Sequence, residues 1–438
     1  MTITAQSISV CEWETLNPSN CEQLRGFFPE STSSNRGTID KLSSSNLLGI
    51  RELRHGLEVE AYSHVGRLRI GNLSISIHPK IKGESLLRLI RYAYGLRDLH
   101  ILSDSQQLFD QWGIEDLLVR QLNSEIHEII HRGLLRCYIP VSESLSSPRG
   151  RIDISKLALE GGVLTAAIPC IHHPRITDTL LNRVLLAGLK GAATMSSSIE
   201  LRRESRHLVS MMQEQVSAIH LNATVLARAM RQMNRLTVAY EPALKIIQLL
   251  MEAQGISLQG SVTSFQLPGF LFDMNDFFQT LLSRFFKENL EGYSVRDEFR
   301  LKNMFRYNRD FNPQQSKPPT PRADYVIEAR REIKAILDAK YRDLWNNPLP
   351  REMLYQLVIY AISHSKNPQS TILYPCTDAS AREARIDISD IVFGKHLGQV
   401  RIRPIHIPLL LEVISDRTPR GRNRRRDFAI SLVFGASL

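Results

Sequence analysis

The chain has 438 residues, of which 43% are hydrophobic and 23% are charged, and its formal net charge is +10. This is the composition of a globular protein, and it excludes a mostly disordered chain. The length favours two or three domains. The surplus of Lys and Arg favours a polyanionic partner, such as nucleic acid or an anionic membrane, although a plain basic surface would give the same charge.

Three absences narrow the class of protein. The five cysteines are odd in number and no two have CxxC spacing, so we expect neither a disulfide framework nor a Cys-ligated zinc site. The first residues lack the basic and apolar segments of a secretory signal. No stretch approaches about 18 apolar residues without charge, so no transmembrane helix is expected. We therefore expect a soluble cytoplasmic protein that does not contact the membrane.

Residues 1–150 are predicted to form a β-rich amino-terminal domain. Apolar and polar residues alternate over 68–77, and Gly71-Asn72 in the middle predicts a hairpin turn. A helical pattern begins near Glu84, and a second one extends over 107–135.

Residues 151–258 are predicted to form a mainly helical middle region. Apolar residues recur at steps of three and four over 180–189 and 226–251. Just before this region, the Ser- and Pro-rich stretch 142–148 predicts a loop.

The third predicted domain, residues 259–438, has a different pattern. We expect, in order, a helix over 275–289, a loop over 308–321, a β-hairpin, a helix over 351–363, and strands at 370–374 and 400–407. The whole chain is therefore predicted to be a multidomain α+β protein with an α/β carboxyl-terminal core. An Arg-rich run at 417–426 either lies along DNA phosphates or forms a solvated, mobile loop.

The hairpin of the third predicted domain contains the candidate catalytic residues. Its strands are predicted over 324–329 and 333–340, and their pairing places Asp324 opposite Asp338, with Cα atoms roughly 4.5–5.5 Å apart. Lys340 lies two residues beyond Asp338 and therefore points to the same face. Most Asp-x-Lys triplets are solvated surface charges, so the hairpin and its apolar strands are needed to favour a site.

Two carboxylates side by side repel each other unless a cation lies between them. Their oxygen atoms suit a hard ion, Mg²⁺ or Mn²⁺. Such an ion polarises a phosphoryl oxygen, and Lys340 can orient water or stabilise developing charge. These residues predict phosphodiester hydrolysis. In the following helix, Gln356 and Tyr360 are four residues apart and share one face, either as part of the site or as core residues.

The pattern Arg-x-Asp…Ile-Leu-Asp-Ala-Lys-Tyr-Arg…Tyr-Gln-Leu-x-x-Tyr-Ala resembles the PD-(D/E)xK nuclease core of the McrC family, the nuclease subunits of McrBC-type restriction systems. The resemblance implies that Asp324, Asp338 and the backbone carbonyl of Ala339 bind the metal and that Lys340 is the catalytic lysine. It also implies that Gln356 and Tyr360 belong to the helix motif that supports the site and the DNA backbone.

Further motifs resemble the same family in the same order. They are Val65-Gly66-Arg67, the stretch 75–81, Arg149–Asp153 and the helical stretch 178–185. The resemblance implies a partner, an AAA+ GTPase or ATPase ring of the McrB type. The chain contains no GxxxxGK[ST] sequence of its own. Residues 66–81 are a candidate contact with that ring, or else an ordinary packed hairpin.

The chain departs from the family at the helix before the hairpin. The family carries a Glu in a Met-Asn-x-x-Phe-Glu pattern, and here Gln279 stands near that position. A neutral amide is a weaker metal ligand than a carboxylate. Asp276, three residues earlier on the same helical face, is the candidate replacement. The usual Pro before the first catalytic Asp is also missing, because Ala323 precedes Asp324.

The sequence therefore predicts a Mg²⁺-dependent endonuclease that cuts double-stranded DNA, modified DNA included, as part of a restriction system. Two alternatives remain open. One is a non-catalytic adaptor that activates the AAA+ ring, and the other is a RecB-like DNA repair nuclease.

Overall fold

The computed structural model describes residues 6–28, 33–81, 83–97, 113–159, 167–254, 269–302, 304–364 and 368–435. These residues form two compact units. One contains the described residues before 98 and after 270, and the other contains those between 112 and 271. The predicted domain boundaries at residues 150 and 258 stay predictions, because one compact unit can hold more than one domain.

The amino-terminal part of the first unit is built from short strands and two helices. Its strands are β1 (Gln6–Cys11), β2 (Thr15–Leu16), β3 (Leu48–Leu53), β4 (Gly56–Ala61), β5 (His64–Ile70) and β6 (Leu73–His78), and its helices are α1 (Ser33–Ser44) and α2 (Gly83–Tyr94). Strand β4 pairs with β2 and β3. The predicted hairpin is confirmed, because Leu68 of β5 pairs with Ile75 of β6 across the turn that contains Gly71.

The second unit is mainly helical in its described residues. Its helices are α3 (Ile114–Arg132), α4 (Ile154–Leu159), α5 (Leu180–Met195), α6 (Ile199–Gln213), α7 (Ala223–Arg231) and α8 (Glu241–Ala253). Its strands are β7 (Cys137–Tyr138), β8 (Val141–Leu145), β9 (Arg151–Ile152), β10 (Ile168–His172) and β11 (Arg175–Ile176).

One local prediction for this unit is wrong. The stretch 142–148 does not form a loop throughout, because β8 pairs antiparallel with β10 through Glu143 and Cys170. Long-range pairing therefore overrides the local Ser-rich signal. The apolar pattern over 226–251 lies in the two helices α7 and α8.

The carboxyl-terminal part of the first unit is a six-stranded mixed sheet. Strand β12 (Gly269–Asp273) pairs with β5 in a separate four-stranded sheet of order β1-β6-β5-β12. The six-stranded sheet has the order β13-β14-β15-β16-β18-β17. Its strands are β13 (Ser294–Arg300), β14 (Arg322–Ala329), β15 (Glu332–Ala339), β16 (Gln369–Cys376), β17 (Ala384–Ser389) and β18 (His396–His406). Strands β15, β16 and β18 are parallel.

Helices cover both faces of this sheet. They are α9 (Met274–Asn289), α10 (Arg351–Ile362), α11 (Ile407–Ser415) and α12 (Pro419–Phe434). On one face, Phe286 of α9 contacts the ring of Tyr325. On the other face, Val326 packs in a core cluster with Leu357 and Tyr360 of α10. Adjacent residues of a strand point to opposite faces, so the two helices enclose β14 from both sides.

The Arg-rich run is helical from Pro419 onward, so the loop alternative for 417–426 is wrong there. Thr418 caps α12 by accepting a hydrogen bond from the N–H of Gly421. Arg422 forms an ion pair with Glu291, and Arg424 forms one with Glu412. The mixed α/β multidomain class is confirmed, and no helix in the described part of the chain is long and apolar enough to cross a membrane.

Candidate active site

The β14–β15 hairpin brings Asp324 and Asp338 to the same level of the sheet. Tyr325 pairs with Leu337 and Val326 with Ile336, and this register continued by one residue places Asp324 opposite Asp338. This is the pairing that the sequence predicts. The register shifts by one residue close to the turn, between Ile327 and Glu328.

The turn itself is a two-residue connection through Arg330 and Arg331. Both have a positive φ, 53° and 63°, which is the backbone geometry of a tight hairpin turn of the mirror-image type. Residues other than Gly, Asn and Asp adopt a positive φ only at a steric cost in free energy. Neither residue favours this conformation. The turn pairs Glu328 with Ile333, and the one-residue shift between Ile327 and Glu328 is what brings Asp324 opposite Asp338.

Lys340 completes a cluster of three charged side chains. Its Nζ lies 3.1 Å from Asp338 Oδ2 and 3.6 Å from Asp324 Oδ2. The side chain of Asp338 is 2% exposed, whereas those of Asp324 and Lys340 are partly exposed. The cluster is therefore open to a substrate from the side of Asp324 and Lys340.

Asp338 has the more unusual environment of the two carboxylates. Burial and the neighbouring charge of Asp324 raise its pKa to about 7, although Lys340 partly offsets the rise. Its Oδ1 is buried and has no hydrogen-bond partner among the described residues. Burial alone would lower the pKa of Lys340, but the charges of Asp338 and Asp324 outweigh it, and that pKa is raised.

Helix α9 contributes Gln279 to the site. The Gln279 amide donates to Asp324 Oδ2 over 3.1 Å and approaches the carbonyl of Ala339 at 3.5 Å. The N–H of Ala339 also donates to Asp324 Oδ2, over 2.8 Å. Asp276 is exposed in the first turn of α9. Gln279 therefore contacts Asp324 from this helix.

The oxygen atoms gathered here fit a divalent cation. Asp324 and Asp338 supply carboxylates, and the Ala339 carbonyl lies beside them, which is the hard-oxygen donor set that Mg²⁺ prefers. The unpartnered Oδ1 of Asp338 is the kind of atom that a cation would satisfy. In the described part of the chain, no group of three or more His, Cys, Asp or Glu residues could hold a metal ion, so Asp276 does not join the two aspartates.

Gln356 and Tyr360 of α10 lie next to the start of β14. The hydroxyl of Tyr360 donates a short hydrogen bond to the carbonyl of Arg322, two residues before Asp324. The Gln356 amide donates to the Tyr360 oxygen over 2.5 Å. These contacts make both residues positioning residues for the strand that carries Asp324.

Two supporting interactions had no signal in the sequence. The hydroxyl of Tyr325 donates to the Gln279 carbonyl over 2.6 Å and fixes α9 against the hairpin. The hydroxyl of Tyr341, directly after Lys340, donates to Glu12 Oε1 over 2.9 Å. Burial raises the pKa of Glu12 to about 7.

Comparison with known proteins identifies the family. A sequence model described as "McrBC 5-methylcytosine restriction system component" matches residues 59–375, which include the hairpin and Lys340. The chain belongs to this family. The family expected from the motifs is therefore confirmed, and the McrBC match includes strands β5 and β6 and the proposed catalytic residues.

Two solved structures resemble this McrBC-family chain. One is a refined half-complex from a tetradecameric assembly of Thermococcus gammatolerans McrB AAA+ hexamers with bound McrC, with a TM-score of 0.62 and 17% identity over 97% of this chain and 99% of that chain. The other is the T. gammatolerans McrBC complex, with a TM-score of 0.46 and 19% identity over 65% of this chain and 88% of that chain. The first shares the fold. No curated protein matches the chain.

Proposed function

We propose that this McrBC-family chain is the endonuclease subunit of a restriction system and hydrolyses phosphodiester bonds of double-stranded DNA with Mg²⁺ or Mn²⁺. The observation that carries the proposal is the cluster of two facing carboxylates and an ammonium group, in which one buried carboxylate oxygen has no hydrogen-bond partner among the residues that the structure describes. Family membership supports the defence role, and the cluster supports the chemistry.

The side chains divide the work as follows. Asp324, Asp338 and the carbonyl of Ala339 would hold the ion, which when bound supplies polarisation of a phosphoryl oxygen and acidifies water. Lys340, at the partly exposed side of the cluster, stabilises the negative charge that develops on the phosphoryl group and orients the attacking water. Gln279 keeps Asp324 in place through its amide.

We further propose that an AAA+ ring of the McrB type drives the reaction. The chain lacks a Walker A sequence, so nucleotide hydrolysis must come from another subunit. The solved relative of the same fold contains McrB AAA+ hexamers with bound McrC. Residues 66–81, which form most of the β5–β6 hairpin, are the candidate contact with the ring.

The decisive experiment is plasmid cleavage by the full chain with its ring partner, nucleotide and Mg²⁺. Asp338→Asn and Lys340→Ala should each abolish cutting and leave nucleotide hydrolysis by the partner unchanged. Asp387→Asn, in the outer strand β17, is the matched control and should cut like the parent. Normal cutting by both site variants would disprove the assignment.

A second function is favoured by one observation. Gln279 presents an amide where the family usually has a carboxylate, and a weakened site suits a non-catalytic adaptor of the AAA+ ring. In that case the parent chain stimulates the nucleotide hydrolysis of the ring and cuts no DNA at any Mg²⁺ or Mn²⁺ concentration. A RecB-like repair role finds no support in the family match.

A further inference from the structure

An open groove of about 920 Å³ lies along the edge strand β13. Its lining comes from β13 and the residues that follow it, together with Ile333 of the hairpin and Ser363 at the end of α10. Strand β13 pairs with β14, and the pairs Asp297–Tyr325 and Phe299–Ala323 place Glu298 opposite Asp324. The groove therefore begins one strand, about 5 Å, from the proposed metal ligand.

Most charged side chains that line the groove form ion pairs with residues beside it. Asp297 is paired with Lys287 of α9, and Glu298 is paired with Arg322 over 3.0 Å. Arg296 is paired with Glu328 over 2.9 Å. Three of the charged groups that line the groove thus contribute little net charge to it.

Two cations remain without such compensation. Arg300 and Lys302 are exposed, and neither side chain forms a hydrogen bond or an ion pair with any residue that the structure describes. Between them Leu301 is buried in the core, whereas Arg300 and Lys302 are exposed to solvent. The groove therefore carries two adjacent, unneutralised positive charges.

We propose that this groove binds the phosphate backbone of the DNA that enters the active site, with Arg300 and Lys302 each contacting a phosphate. The inference rests on the proposed function, because a phosphodiester substrate at Asp324 must continue past the neighbouring strand. Long, exposed cations held beside a reaction site are the usual source of sequence-independent affinity for DNA.

The test measures DNA binding without cutting. The full chain is titrated in EDTA against a fluorescently labelled 30-base-pair duplex at several salt concentrations. The double variant Arg300→Ala/Lys302→Ala should bind about tenfold or more weakly at low salt, and the slope of log affinity against log salt should fall by about 1.8. The control Arg235→Ala/Lys395→Ala removes the same charge outside the groove and should retain the slope of the parent.

The outcomes separate this inference from the proposed function. Equal slopes in the groove variant and the control, or no binding by the parent at 50 mM salt, would overturn the groove assignment. If the parent binds through the groove and yet never cuts with Mg²⁺ and its partner, the groove stands and the nuclease proposal fails. If the parent cuts and the groove variant binds DNA like the control, the nuclease proposal stands and the groove assignment fails.

Discussion

The side-chain amide of Gln279 donates a hydrogen bond to Asp324 Oδ2 over 3.1 Å. A carboxylate at this position would instead repel Asp324 when no cation is present. The residue that departs from the family pattern thus stabilises the metal-free site, and this leads to the first prediction.

Gln279→Glu should destabilise the metal-free chain by about 1–3 kcal/mol, because it replaces a hydrogen bond with a like-charge contact. It should also increase the rise in melting temperature that Mg²⁺ produces, because it adds a hard oxygen ligand. Thermal unfolding in EDTA and in Mg²⁺ measures both effects. Gln279→Ala removes the hydrogen bond without adding charge, and an identical Mg²⁺ response in the two variants would contradict the prediction.

Tyr360→Phe should destabilise the chain by about 0.5–1.5 kcal/mol, because it removes the hydrogen bond that the buried Tyr360 donates to the carbonyl of Arg322. Cutting should fall as well, since β14 loses the contact that positions Asp324. Urea unfolding and a cleavage assay test the two parts. Tyr355→Phe, on the same helix but 63% exposed, should behave like the parent. Equal unfolding free energies for the two variants would refute the role of Tyr360.

Glu12→Gln should change how stability depends on pH. Burial raises the pKa of Glu12 from 4.5 to about 7, although the hydrogen bonds from the Lys80 N–H and Tyr341 and the charge of Lys80 lower it. The folded state therefore keeps a proton that the unfolded state has released, and stability falls as the pH rises from 4.5 to 7. This group contributes about 3 kcal/mol to that fall, and the variant should lack the contribution.

Urea unfolding between pH 4.5 and 8 in EDTA measures this difference. Asp338 also makes stability fall as the pH rises, because its pKa is also raised to about 7. The contribution of Asp338 is present in both the parent and the Glu12→Gln variant. Glu22→Gln, at an exposed position, is the control and should follow the parent curve. A Glu12→Gln curve parallel to that of the parent would show that Glu12 does not titrate as described.

Arg331→Gly should stabilise the β14–β15 hairpin by about 1 kcal/mol, because glycine adopts a positive φ without the steric cost that Arg bears. The unfolding free energy in urea measures the gain. Arg331→Ala removes the same charge and keeps the steric cost, so it should give no gain. A gain of equal size in both variants would assign the effect to charge and not to the backbone.

Local patterns predicted the elements around the site well. The alternation of apolar residues predicted both hairpin strands, and symmetry about residue 331 predicted that Asp324 faces Asp338. The turn at Arg330 and Arg331 reaches that pairing through the register shift between Ile327 and Glu328, which the sequence did not predict. The spacing of Lys340 from Asp338 placed the ammonium group on the same side. These features depend on residues close together in the chain, for which the two-residue period of a strand suffices.

Other features depend on contacts between distant parts of the chain. Glu12 and Tyr341 are 329 residues apart, and no periodicity in either segment indicates the other. Strand β8 has a loop-like sequence and exists because β10 pairs with it. The Arg-rich run becomes a helix because Thr418 caps it and acidic side chains compensate it, and its composition alone does not reveal these partners.

Residues before 98 and after 270 belong to the same compact unit, and this has a consequence for biosynthesis. At about 5–20 residues per second, a ribosome needs roughly 15–65 s to make the residues between Glu12 and Tyr341. During that interval the first strands lack the side chains that later bury Glu12, while the helical unit between them is already complete. The nascent amino-terminal segment is thus exposed to chaperones and proteases until Tyr341 has been translated.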